Sequence, residues 1–135
     1  MALILLSGYP CVGKSAFAEK LKSEIIKRDA KQKVAIVNEE LLGLDKINGY
    51  IDSSNEKTCR ANLKAAIDRA LSTKNSIVIA DSLNYIKGYR YELYCMARSL
   101  SLRTCCVLVV ADDNISDSWH ATRQAADENT YTDDV

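Results

Sequence analysis

Residues 8–15 read GYPCVGKS, which is the spacing Gly-x-x-x-x-Gly-Lys-Ser. This is the Walker A pattern, and each part of it has a chemical reason. Gly8 and Gly13 permit a backbone that curls with its N–H groups inward, a cradle for phosphate oxygens. A helix that opens at the loop adds the positive end of its dipole. Lys14 supplies a point charge for the β- and γ-phosphates, and Ser15 offers a hydroxyl to magnesium. Gly8, Tyr9, Pro10, Cys11, Val12, Gly13, Lys14 and Ser15 are therefore the candidate ATP-binding residues. A glycine-rich turn arising by chance is the bland alternative. An apolar run before the loop and a helical pattern after it argue against that.

A second carboxylate site follows the apolar run SIVIA at 76–80. Asp81 closes it, where a P-loop protein places the acid that holds magnesium, so Ser15 and Asp81 form the candidate metal pair. In isolation an ordinary turn or cap aspartate is the favoured reading; the Walker A loop beside it turns the balance to the metal role. Asn38, Glu39 and Glu40 end another apolar run. Glu39 is the candidate to accept a proton from a substrate hydroxyl or to position a water; an acidic, solvated helix start is the alternative. Arg123 lies in a polar stretch after the last apolar run, the usual place of a lid. An arginine there can neutralise charge developing on a γ-phosphate, although most surface arginines do nothing of the kind. Lys14, Asp81, Glu39 and Arg123 are the catalytic candidates. The only histidine, His120, reads as surface. Cys11, inside the loop, is either an oxidation-sensitive thiol or filler.

These residues need a scaffold. ALILLS (2–7), KVAIVN (33–38), SIVIA (76–80) and TCCVLVVA (104–111) are continuous apolar runs of strand length. Such runs suit strands buried on both faces of a parallel sheet. Between them lie helical patterns. Phe17, Leu21 and Ile25 recur every four positions. SSNEKTCRANLKAAIDRALS (53–72) has capping-box spacing at Ser53 and Glu56, with Cys59, Leu63, Ala66, Ile67, Ala70 and Leu71 on one face. Tyr89, Leu93, Met96 and Leu100 mark a third helix, and 114–128 a polar fourth. Alternating strands and helices predict an α/β fold: a P-loop, kinase-like parallel sheet of at least four strands with helices on both faces. Ligands bind such sheets outside the carboxyl ends of the strands, where all the candidates above fall.

Composition sets outer limits. A chain of 135 residues is one domain, able to bury roughly 65–70% of its unfolded surface. Eighteen basic and eighteen acidic residues cancel, so nucleic acid would have to be met by a local patch. Five cysteines (Cys11, Cys59, Cys95, Cys105, Cys106) have no metal spacing, and their odd number argues against a full disulfide framework. They read as small apolar residues in a reducing cytoplasm. ALILLS is too short for a signal sequence or a membrane span, so no membrane partner is expected.

The stretch DSLNYIKGYRYELYC (81–95) holds four of the seven tyrosines. It resembles the segment after the Walker B acid in the Elongator-regulating ATPases of the killer-toxin-insensitivity family. GYPCVGKS and NGYIDSSNEKTCRANLKAAIDRALS resemble that family too, so the likeness covers nearly the whole chain. A relative of the family is the kinase that phosphorylates seryl-tRNA for selenocysteine synthesis. The resemblance implies a magnesium-dependent ATPase, cytoplasmic or also nuclear, that binds tRNA and associates with the Elongator complex, which modifies wobble uridines. It implies that Gly8 to Ser15 hold ATP, that Ser15 and Asp81 hold Mg2+, and that 82–90 form a mobile, nucleotide-sensing loop. Tyr85, Lys87 and Arg90 would then contact RNA or a partner, rings stacking on bases and cations meeting phosphates, while Tyr89 is expected in the core. Two departures stand out. The family's Asn-Asp-Glu after the second strand is Asn38-Glu39-Glu40 here, which puts the role of Glu39 in doubt. The family's fifth strand and tRNA-binding C-terminal domain have no counterpart in these residues, so 1–135 read as the P-loop ATP-binding domain of a truncated, divergent or fragmentary chain that lacks the last strand of the sheet. The rival functions are a kinase for seryl-tRNA or a small hydroxyl metabolite, and a non-catalytic nucleotide sensor.

Overall fold

The computed structural model describes residues 1–10, 12–43 and 50–125, and the side chains of 113, 116 and 123–125 are outside that description. Four strands, β1 (Ala2–Ser7), β2 (Lys33–Val37), β3 (Ser76–Asp81) and β4 (Arg103–Leu108), form one sheet. The order is β2-β3-β1-β4 and every pairing is parallel. Helices α1 (Lys14–Arg28), α2 (Ser53–Leu71), α3 (Lys87–Ser99) and α4 (Asp113–Ala125) separate or follow the strands. The expected α/β fold is therefore present, each element starting within two residues of its predicted place.

The apolar runs are continuous because both sheet faces are covered. Leu3, Leu5, Val37, Val78 and Ala80 face α2 and α3, which contribute Cys59, Leu63, Ile67, Leu71, Tyr89, Leu93 and Ala97. Leu6 and Ile79 face the other way and pack on Ala18 of α1. At about 25 cal/mol per Å2 of apolar area, these two layers supply the main stabilisation of the domain.

Three details depart from the sequence reading. The stripe of α1 that meets the sheet centres on Lys14 and Ala18, and Phe17 is exposed at 38%. Alanine lets the helix lie close to the strands, where a phenyl ring would hold it off. Helix α2 is capped by Asp52, whose Oδ1 accepts from the Asn55 N–H at 2.8 Å, so Ser53 is its first helical residue and the capping box is displaced. Of the described cysteines only Cys59 is buried; Cys95, Cys105 and Cys106 are exposed. The last two are consecutive residues of β4, the edge strand that pairs with β1 among the described residues, so exposure reaches both faces of that strand. Leu100, expected on the apolar face of α3, is also exposed. Tyr89 is in the core as expected.

Topology then selects the site. The crossover β1–α1–β2 carries the chain over β3, while β3–α3–β4 carries it back over β1. The strand order switches direction between β1 and β3, and the crevice at their carboxyl ends is where such sheets bind ligands. Residues 8–15 leave β1 there, beside Asp81 at the end of β3.

Candidate nucleotide site

The loop 8–15 is built on two glycines with different jobs. A Cβ at Gly8 would collide with the Val109 carbonyl oxygen, because the segment after β4 is drawn in by the bond from Val109 N–H to the Ser7 carbonyl at 2.8 Å. Gly13 is the N-cap of α1 at φ 90° and ψ 22°, left-handed backbone that disfavours a side chain. Val12 is buried. The loop thus ends at the amino terminus of a fifteen-residue helix, whose first N–H groups lack partners within the helix.

Lys14 is the first residue of α1 and only 7% exposed. Its ammonium turns back over the loop and donates to the carbonyls of Tyr9 at 2.6 Å and Gly8 at 3.1 Å. A buried cation held by loop carbonyls is already desolvated and aimed across the cradle, which raises its value to an anionic ligand. Ser15 donates its hydroxyl to Asp81 Oδ2 at 2.7 Å. Two residues 66 positions apart meet side chain to side chain, and Asp81 is buried. This pair offers hard oxygen donors, the kind magnesium takes. Among the described residues there is no group of three or more His, Cys, Asp or Glu able to hold a metal alone. Magnesium fits that sparse donor set, since it is commonly bound by one or two carboxylates with phosphate oxygens and waters completing the octahedron.

Glu39 follows β2. It is 1% exposed and accepts from the Tyr50 hydroxyl at 2.9 Å and the Ser82 hydroxyl at 2.8 Å. Burial, and then the charge of Glu39, raise the Tyr50 hydroxyl above its ordinary pKa. The same two causes raise the thiol of Cys59. Ser82 directly follows Asp81, so the bond from Ser82 ties Glu39 to the residue next to Asp81.

The stretch 82–90 divides in two. Ser82, Leu83 and Asn84 are buried, and 87–90 are the first turn of α3. Tyr85 is exposed, with its hydroxyl bonded to Glu56; that bond raises its pKa. Lys87 is exposed. Arg90 turns inward, its Nη1 donating to the carbonyls of Asn84 at 2.8 Å and Tyr85 at 2.7 Å. Arg123 lies on α4, but its side chain is outside the described residues, as is Cys11. His120 on the same helix is half-buried.

Two residues went unremarked in the sequence reading. The first is Asn84, whose asparagine gives no sign of its partners. The second is Trp119 of α4, the only tryptophan. Its ring comes to 3.8 Å from where a Cβ on Gly13 would stand. A lone aromatic four residues before Arg123, in an otherwise polar stretch, was the available signal.

A parallel sheet with a Gly-x-x-x-x-Gly-Lys-Ser loop after its first strand, and an acid after the neighbouring one, defines a P-loop nucleotide-binding protein of the kinase-like kind. The family described as "Chromatin associated protein KTI12" matches residues 1–135, and this chain belongs to it. It is 41% identical over 135 residues to the KTI12 homolog of Danio rerio, covering all of this chain and 48% of that protein. To KTI12 of Saccharomyces cerevisiae it is 39% identical over 128 residues, 90% of this chain and 40% of the other. The chain spans about half, or slightly less, of the length of these curated relatives. The crystal structure of Chaetomium thermophilum Kti12 in complex with ADP-AlF3 superposes with a TM-score of 0.85 at 32% identity, covering 98% of this chain and 74% of that one. An adenosine phosphosulfate kinase of Mycobacterium tuberculosis gives 0.71 at 9% identity over 97% and 82% of the two chains, a likeness of fold alone. Among the described residues no helix is long and apolar enough to cross a membrane.

Proposed function

We propose that residues 1–135 are the magnesium-dependent ATP-binding and ATP-hydrolysing domain of an Elongator-associated regulator of tRNA wobble-uridine modification. The observation that carries the nucleotide part is the 2.7 Å bond between Ser15 and Asp81 beside the desolvated Lys14. Phosphate oxygens would enter the cradle of 8–15, Lys14 would meet the β- and γ-phosphates, and Ser15 and Asp81 would hold a magnesium ion. The metal supplies charge neutralisation at the transferring phosphoryl group. The residues Lys14 and, from the lid, Arg123 add positive charge there. Glu39 is placed to hold Ser82 and Tyr50, so its contribution runs through the position of Asp81. The ADP-AlF3 complex of the Chaetomium protein supports an adenine nucleotide as the ligand. Membership of the KTI12 family supports the Elongator and tRNA partnership, with exposed Tyr85 and Lys87 as the RNA- or partner-facing residues and Arg90, expected beside them, turned inward onto the Asn84 and Tyr85 carbonyls. The compartment would be the cytoplasm, with the nucleus as a second.

Calorimetry of the full-length protein with ATP, in magnesium and in EDTA, tests the nucleotide site. Phosphate release with and without tRNA and Elongator tests the coupling. Saturable binding strengthened by magnesium is expected, with turnover raised by the partners. Transfer of labelled phosphate to seryl-tRNA, with no release to water, would replace this reading by a kinase.

A further inference from the structure

The turn after β3 carries a clasp that joins the two strands of the site. Asn84 is 4% exposed and adopts φ 46°, left-handed backbone that asparagine tolerates better than most side chains. That conformation points its amide back beneath the turn. Nδ2 donates to the Leu6 carbonyl at 2.8 Å and to the Ala80 carbonyl at 3.1 Å. Two carbonyl acceptors require the NH2 end of the amide, so the orientation is set by chemistry. Leu6 is the second residue before Gly8, and Ala80 immediately precedes Asp81. One side chain therefore bridges the strand that launches the phosphate loop and the strand that ends in the metal carboxylate. The backbone of Asn84 is gripped as well. Its carbonyl accepts from Ser7 Oγ at 3.3 Å and from Arg90 Nη1 at 2.8 Å, and Arg90 also holds the Tyr85 carbonyl.

We infer that Asn84, held by Arg90, is a positioning residue that sets the distance between Ser15 and Asp81 and hence the affinity of the site for the magnesium–nucleotide complex. The inference rests on the nucleotide reading above. Arg90 acts inward, through the clasp, as an organiser of the site. The physical reason is the sharpness of the requirement. Magnesium demands near-ideal octahedral geometry, so a shift of a few tenths of an ångström between β1 and β3 disturbs metal binding. The phosphate cradle lies wholly on the β1 side and tolerates such a shift.

The test is ATP affinity of the full-length protein in magnesium and in EDTA for Arg90→Gln, Arg90→Lys and Asn84→Asp. Aspartate keeps the shape of Asn84 and removes both donors. Supporting partners of metal ligands typically matter by about 10–100-fold, and a loss of that size is expected for Arg90→Gln and Asn84→Asp in magnesium. Affinity in EDTA should change less than about threefold by the same argument, since no metal geometry is then at stake. Arg90→Lys keeps a charged donor nitrogen but not the planar guanidinium and should recover part of the loss. Equal losses in both conditions, or none, would overturn the inference. If Asn84→Asp does not fold, Arg90→Gln decides alone, because that side chain is at the surface end of the clasp. Failure of the wild type to bind ATP at all would remove the site reading itself, an outcome separable from failure of the clasp.

Discussion

Two connections leave the sheet side by side, and they are built by opposite means. The loop after β1 takes its shape from backbone: Gly8 in close contact with Val109, Gly13 left-handed at the helix start. The turn after β3 has no glycine between Asp81 and Lys87. It takes its shape from side chains that bond to backbone or to Glu39: Ser82, Asn84 and Arg90. The difference follows from what each must do. A phosphate cradle has to present N–H groups to a ligand, so its side chains must stay out of the way. A turn that holds a carboxylate in place gains by satisfying every polar group internally, since buried and fully bonded networks are rigid.

The largest effects should separate these two modes. Lys14→Ala removes a desolvated cation from the cradle. It should cost about 10²–10³ in turnover, the scale for loss of one preorganised donor, and most of the ATP affinity with and without magnesium, while the fold survives. Calorimetry that shows unchanged ATP binding would break the assignment of the cradle. Asp81→Asn belongs to the other connection. Its effect should be confined to magnesium: roughly tenfold or more weaker magnesium–ATP binding, within the several kcal/mol a metal contributes, and little change in EDTA. Equal losses in the two conditions would make Asp81 a structural turn residue.

The next contrast lies within the turn. Glu39→Ala removes the acceptor that the Ser82 and Tyr50 hydroxyls share. A hydrogen bond to a charged group is worth about 1.5–3 kcal/mol, so a clear fall in the denaturation midpoint is expected. Tyr50→Phe removes the bond to Glu39 and leaves Glu39 its bond to Ser82, and it should cost about 1 kcal/mol. Magnesium dependence should follow Glu39→Ala more than Tyr50→Phe, because only Ser82 adjoins Asp81. If Glu39→Ala abolishes turnover at unchanged stability, Glu39 acts on substrate directly.

How far the sequence disclosed this depends on the same distinction. The phosphate loop was legible because its rule is local: glycines at fixed spacing between an apolar run and a helix. Strands buried on both faces announced themselves as ALILLS and SIVIA. Helix α2 showed its face because Cys59, Leu63, Ile67 and Leu71 are large or apolar throughout. The stripe of α1 was misread through Phe17, because periodicity cannot rank a phenyl row against an adjacent row whose member is alanine. The caps Asp52 and Ser53 are neighbours of equal ability, so only the fold chooses between them. Asn84 and Arg90 were least legible. Their partners are carbonyls of residues 6, 80, 84 and 85, and a backbone acceptor leaves no mark in side-chain identity.

The smallest expected effect concerns Lys87 and Arg90, which the sequence presents as a matched pair flanking Gly88 and Tyr89. The structure separates them. Lys87 is exposed at the start of α3, whereas the Arg90 guanidinium is committed to two carbonyls. If this stretch meets tRNA, Lys87→Ala should lower the slope of log affinity against log salt by roughly 0.7–0.9, the value of one phosphate contact. It should leave ATP binding untouched, since the cradle is residues 8–15. Arg90→Ala should instead alter magnesium–ATP binding and change the salt slope less, because its charge already faces the turn. The measurement is tRNA binding by the full-length protein at several salt concentrations, with ATP binding alongside. Equal changes in slope for the two substitutions would return Arg90 to the RNA surface. An unaltered slope in both would assign the exposed edge of α3 to a protein partner, because the phosphate contacts that generate the slope would then not involve either side chain.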